Sequence, residues 1–335
     1  MRMENLLDPN IRRNVLFFIT GAGTAYLAYK VIKSGIAGCL QKQDTCSKGM
    51  AYNASRFPIR HDLKKKSGEL TRLLSLLKQQ PDSFTKGMLL HGITRCIYLV
   101  ECEAKSCTDE DINLIGSLLN DEEKGIKIQA LNALNAFATL ELKQHKIQEF
   151  VPRVIELVTT IWDSDLHIAG LKMLNAAILE DHLFMLLRRG IPSFMEILQA
   201  KNNLAQLQVL KFLITLSQKE ELLYDILNCQ VFPDFLNLFS TQLPGNVLCH
   251  MLILVQCLNL GINNPQYQSV SWEYNEESLY EALFGQDSRL PSKLLSLILH
   301  PEENVQRQVC QVIFCLEQSK SDDNISELQT SSSST

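Results

Sequence analysis

The sequence predicts an all-α, right-handed helical solenoid preceded by an N-terminal transmembrane helix. Three observations predict it: an apolar helical pattern that returns every ~40 residues, prolines that return at the same step in a second register, and an uncharged apolar run between basic residues near the start. The chain has 335 residues, 46% of them hydrophobic, with a formal net charge of -5. That composition suits packed helices. The mild charge, with Lys and Arg scattered along the chain, gives no electrostatic reason to expect a nucleic-acid partner.

Taken in order, residues 1–33 read as a membrane anchor. Val15, Leu16, Phe17, Phe18, Ile19, Tyr26, Leu27 and Tyr29 belong to an uncharged run that Val31 and Ile32 extend past Lys30. The run reaches about 18 residues, the lower limit for a spanning helix. Arg12 and Arg13 stand before it, and Lys30 and Lys33 behind, where long basic chains reach the headgroups. A secretory signal peptide and a buried core helix are the rivals. Glu4, Asp8 and Pro9 lengthen the front against the first, and the basic flanks at a terminal position weigh against the second. The balance of Lys30, Lys33, Lys42 and Lys48 over Arg2, Arg12 and Arg13 keeps the C-terminal side cytosolic. A short, moderately apolar span with basic residues behind it fits a mitochondrial outer-membrane signal anchor.

Residues 34–66 lose the periodicity. Gly35, Gly38, Gly49 and Pro58, with the basic cluster Arg60 to Lys66, read as a flexible linker. The solenoid is expected over 67–318. Its reference helix is Lys127–Ala138, where Ile128, Leu131, Leu134 and Phe137 line one side and Ala130, Ala133 and Ala136 leave the other nearly as apolar. The pattern returns at His167–Ile178 and Leu204–Ser217 and, backward, at Lys86–Cys96. Leu131, Leu171, Leu210 and Leu90 share one slot, and Leu134, Leu174, Leu213 and Ile93 another. Weaker copies stand at Val247–Leu260 and Val305–Leu316, separated by an insertion near 262–291. Asp82, Thr108 and Asp163 precede helix starts. Pro152, Pro192 and Pro233 are each expected in the first turn of equivalent helices. The polar, serine-rich stretch 319–335 reads as a disordered tail.

The unit of entry, proline, apolar helix, polar turn and then a helix like Ala130-Leu131-Asn132-Ala133-Leu134 resembles the armadillo repeat. With a membrane segment in front, the chain is similar to the armadillo family attached to the mitochondrial outer membrane. The resemblance implies an armadillo-type solenoid facing the cytosol, which binds other proteins, mitochondrial membrane proteins among them, and arranges or clusters mitochondria, as in the sperm mitochondrial sheath. The alternative is a soluble adaptor moving between cytoplasm and nucleus and reading chromatin or transport partners. In peptide-binding armadillo proteins an asparagine ladder grips the ligand. The matching slots here hold Ala136, Ala176 and Thr215.

Candidate partner contacts are therefore Asn132, Asn135 and Asn175, weighed against a role as hydrogen bonders between repeats, and Tyr267, Trp272 and Tyr274 in the insertion, weighed against a loop that folds back onto the last repeat. Open solenoid ends and the small residues Gly21, Ala22, Gly23 and Ala25 permit self-association. No catalytic residue, cofactor or metal site is expected. The sequence has no Cys-x-x-Cys, no His-x-x-x-His and no phosphate loop. Glu180-Asp181-His182 is the one tempting acid-base trio, and adjacent helical residues point apart.

Overall fold

The computed structural model describes residues 68–79 and 82–332, with side chains through 318. The anchor residues, the linker and Pro81 lie outside the described residues. The repeats belong to the compact unit that begins at Ser67.

The recurring element is a short first helix, a second helix and a longer third helix. Glu69–Lys78 (α1) and Ser83–Leu99 (α2) are the second and third helices of an opening unit. Glu101–Lys105 (α3), Asp109–Ser117 (α4) and Lys124–Thr139 (α5) form the first full unit, and Gln144–Gln148 (α6), Val151–Thr160 (α7) and Ser164–Ala176 (α8) the next. Phe184–Gln199 (α9) and Asn203–Ser217 (α10) come after them, then Glu220–Leu227 (α11) with Gly245–Ile262 (α12). Pro265–Gln268 (α13), Leu279–Phe284 (α14), Leu290–Leu297 (α15) and Glu303–Ser332 (α16) complete the described chain. Among the described residues there is no strand, only an isolated antiparallel bridge between Gln230 and Ser278.

The third helices α2, α5, α8, α10, α12 and α16 pack on one another in chain order, and each from α2 to α10 also packs on its own second helix. Leu90, Leu131, Leu171, Leu210 and Leu252 occupy one register position and are fully buried. Ile93, Leu134, Leu174 and Leu213 are buried one turn later. Ala130, Ala133 and Ala136 are buried as well, because α5 has a neighbour on both flanks. A small residue is required where helices approach most closely: a Cβ on Gly170 of α8 would stand 2.4 Å from Val158 Cγ2 of α7. The opposite extreme is α12, whose mean hydropathy of 1.6 makes it the one described helix long and apolar enough to cross a membrane. It lies between α10 and α16.

Helix starts follow the local chemistry. Asp82 accepts from the Thr85 amide, Asp163 from the Leu166 amide and Asn202 from the amides of Leu204 and Ala205. Thr108 and Asp111 form a reciprocal capping box at α4. Repeats are also joined by ion pairs: Lys86 to Asp121 at 3.0 Å, Lys124 to Asp163 at 2.5 Å and Arg188 to Asp225 at 2.7 Å.

Two expectations are corrected. Of Pro152, Pro192 and Pro233, only Pro152 sits in the first turn of a helix. Pro192 lies inside α9, which runs unbroken through the place where the preceding unit separates α6 from α7. Burial of Leu187, Ile191, Phe194 and Leu198 along that helix holds it together across the missing amide. Pro233 precedes only a 3-10 turn, Phe235–Leu238, in place of a second α-helix. The second difference is at the C-terminus, where the backbone of α16 stays helical to Ser332, into the polar stretch. Extending a helix already anchored by buried Val305, Val309 and Val312 needs no new nucleus.

Candidate protein-interaction face

Residues at steps of three and four along a third helix share a side. On α2 the exposed side carries Phe84, Met88, His91 and Arg95. The same positions are Gly125, Gln129, Asn132 and Ala136 on α5, Asp165, Ala169, Lys172 and Ala176 on α8, and Leu204, Gln208, Lys211 and Thr215 on α10, of which Ala136 and Ala169 are buried. Between α5 and α8 they border a surface groove of about 390 Å³, lined by Gly125, Gln129, Asn132, Asp165, Ile168 and Lys172. Asn132 is half-buried in that groove.

The other two candidate asparagines bond to neighbouring repeats. The Asn175 amide donates to the Gln208 carbonyl at 3.0 Å, joining α8 to α10. The same pairing recurs further along the stack, where Gln308 of α16 donates to the Gln256 side chain of α12 at 2.8 Å. On α5 the forward position is Ala169, which has no amide side chain, and Asn135 turns back to donate to the Tyr98 hydroxyl at 3.3 Å.

The insertion folds onto α11. Trp272 stacks on Tyr224 of α11 at 4.6 Å and on Tyr267 at 5.1 Å, and its indole N–H donates to the Tyr267 carbonyl at 2.9 Å. The Tyr267 and Tyr274 hydroxyls are 2.5 Å apart, and Tyr274 stacks on Tyr280 at 3.9 Å. Tyr267 is buried, while Trp272 and Tyr274 remain half-exposed. Burial raises the Tyr267 and Tyr274 hydroxyls above their ordinary pKa. Backbone bonds complete the attachment: Val231 N–H donates to Glu277 O at 3.0 Å and Leu279 N–H to Cys229 O at 2.8 Å.

A third recurrent contact was not read from the sequence. Gln206 of α10 reaches back to the Leu198 carbonyl at the end of α9 at 3.0 Å, and Gln306 of α16 to the His300 carbonyl in the connection after α15 at 2.6 Å. His167 holds the same place on α8: buried, edge-on to Trp162 at 5.2 Å and facing the Ile161 carbonyl. Burial holds its imidazole below the ordinary 6.5. Below about pH 6.5 the unfolded chain therefore takes up a proton that the folded chain refuses, and stability falls as the pH drops towards the folded pKa. His167→Gln, which puts here the residue used at the two equivalent places, is expected to remove that contribution. The difference in melting temperature between about pH 7 and about pH 5 should shrink in the variant. An unchanged difference would assign the acid sensitivity elsewhere.

Among the described residues the other titratable groups form no reactive constellation. Burial pushes the thiols of Cys107 and Cys229 up to about 11, and those of Cys249, Cys257, Cys310 and Cys315 upward as well. Thiolate nucleophiles need the opposite shift. Glu180 and His182 form an exposed pair at 3.2 Å on the surface 3-10 turn Asp181–Leu183. Among the described residues no three His, Cys, Asp or Glu converge as metal ligands.

Charge is where linear reading fell short. Among α2, α5, α8, α10 and α12 the only acidic residue is Asp165, against Lys86, Arg95, Lys124, Lys127, Lys172 and Lys211. Basic residues stand on every kind of helix, Lys78, Lys105, Lys146, Arg153 and Arg188 on first and second helices among them, but the acids that balance them there, Glu101, Asp109, Glu110, Glu156, Glu196, Glu220 and Glu221, have no counterpart on these third helices beyond Asp165. Counting acids per third helix would have revealed it.

Stacked three-helix units with burial in the third helix define an armadillo-type solenoid, and a family model described as Armadillo-like matches residues 66–283. The chain belongs to the armadillo repeat family. It is 48% identical over 308 residues to human armadillo repeat-containing protein 12, covering 92% of this chain and 90% of that protein. With the mouse protein of the same name it shares 48% identity over 298 residues, 89% of this chain and 87% of the other. Among solved structures, a designed armadillo repeat protein matches at a TM-score of 0.51 with 15% identity, over 74% of this chain and 100% of the design. Another, in complex with the peptide (KR)4, matches at 0.50 with 12% identity, over 74% and 99%. At that identity the likeness concerns the fold.

Proposed function

We propose that this chain is a non-catalytic scaffold, tethered at the mitochondrial outer membrane by residues 15–32, which presents the exposed side of its third helices to protein partners in the cytosol. Its task is to organise or cluster mitochondria. The observation that carries the binding half is the set of exposed third-helix side chains, Phe84, Met88, Arg95, Lys172, Leu204 and Lys211 among them, on helices whose other sides are consumed by stacking. A designed armadillo repeat protein solved with a peptide shows that such a scaffold accommodates one. The tethering half rests on the apolar run and its basic flanks.

Carbonate extraction with protease protection on isolated mitochondria tests the tether. The full chain is expected in the membrane pellet, with its repeats digested by protease added outside. Recovery in the supernatant would remove the tether and favour a soluble adaptor.

A further inference from the structure

We propose that the third-helix face around Lys172 and Lys211 docks an acidic segment of a protein partner in which apolar residues alternate with carboxylates. The inference rests on the reading of that face as a protein-binding surface and specifies the chemistry it accepts.

Three observations carry it. Lys172 and Lys211 stand at the same register position of successive third helices, are exposed and take part in no ion pair among the described residues. Arg95 on α2 is likewise exposed and unpaired. By contrast, Lys86 and Lys124 on the same set of helices are engaged by Asp121 and Asp163. Second, the single acid of these helices, Asp165, lines the same groove as Lys172 but stands about two turns from it at the start of α8, so this face sets one anion against Arg95, Lys172 and Lys211. A chain with net charge -5 thus exposes on this one side cations that have no ion-pair partner among the described residues, with Asp165 as the one acid of these helices. Third, the cations are interleaved with apolar surface. Leu204 is 63% exposed two turns before Lys211 on the same side of α10, and Phe84 and Met88 are 79% and 59% exposed on the side of α2 that carries Arg95.

Packed helices stand about 8–10 Å apart. An extended segment of polyproline II type advances about 3.1 Å per residue with three residues per turn, so carboxylates three residues apart face one way at about 9 Å. That spacing suits ammonium groups on adjacent third helices, and the residues between can reach the apolar positions. A nucleic acid fits less well: binding a polyphosphate calls for a dense basic stripe on a basic domain, and this chain is net acidic with its cations spread among leucines and amides. The required sign is opposite to that of the (KR)4 peptide held by the designed armadillo protein.

The test uses the full-length chain in mild detergent and a fluorescein-labelled (Glu-Leu-Pro)3 peptide, with (Lys-Leu-Pro)3 and a uridylate 12-mer as comparison probes. The acidic peptide should bind at least tenfold more tightly than the basic one and weaken as salt rises. Lys172→Glu and Lys211→Glu should each weaken it about tenfold, and the double reversal should prefer the basic peptide. Neither ammonium has an ion-pair partner among the described residues, so melting temperatures should not change. Lys172→Gln and Lys211→Gln give the same direction at smaller amplitude, and Arg189→Glu on α9 should leave binding unchanged. Equal or tighter binding of the basic peptide, insensitivity to Lys172 and Lys211, or tighter binding of the uridylate than of the acidic peptide would overturn the proposal. Binding that fails while the chain stays in the mitochondrial pellet removes only this charge assignment. Binding that persists in a chain recovered from the supernatant upholds it and removes only the tether.

Discussion

Phe212→Ala is expected to destabilise the solenoid by about 3–5 kcal/mol, the usual cost of emptying a phenylalanine site in a packed interior. Phe212 is fully buried in α10 and meets Phe194 of α9 edge to face at 5.1 Å. Its helix also contacts α8, α11 and α12, so the cavity opens where two units meet. In a stack where each unit touches only its neighbours, the damage should be local. Hydrogen exchange is expected to accelerate in α8, α10 and α12 while α2 keeps its protection, at a denaturation midpoint well below that of the parent chain. Uniform loss of protection from α2 onward would mean that the repeats melt as one block.

Trp272→Ala is expected to release the insertion. The indole stacks on two tyrosines and fills one backbone acceptor, contacts that together contribute about 2–3 kcal/mol from ring pairing and lost apolar contact. Limited proteolysis should then cut between Tyr267 and Ser278 well before it cuts the third helices. Spectroscopic titration adds a second readout. Because burial lifts the Tyr267 hydroxyl, its ionisation should move down towards the ordinary tyrosine range in the variant. If the loop keeps its protease resistance and Tyr267 its titration, the bridge at Gln230 and Ser278 holds the insertion without the rings.

How far the sequence reached depended on whether a feature is decided inside one helix or between two. Leu131, Leu171 and Leu210 were legible because a helix buried on its repeat neighbours writes its own period. The N-caps Asp82, Thr108 and Asp163 were legible for the same local reason. Pro192 misled because a proline records that its own amide is dispensable, and whether the chain before it continues as helix is settled by the burial of Leu187 and Ile191. The pairing of Asn175 with Gln208, and of Gln256 with Gln308, needs the register of the adjoining repeat. The tyrosines and tryptophan of 267–280 were visible as a cluster, yet only their meeting with Tyr224 fixes which way they point.

The composition of α12 has a bearing on how the molecule is made. Its 18 residues leave the ribosome when α10 is already available to cover one flank, but α16, which covers another, emerges only after the whole insertion has been synthesised. Throughout that interval a segment greasy enough to be mistaken for a membrane span stays half clothed in water. Lengthening the insertion is therefore expected to raise aggregation or chaperone dependence during synthesis without altering the finished fold.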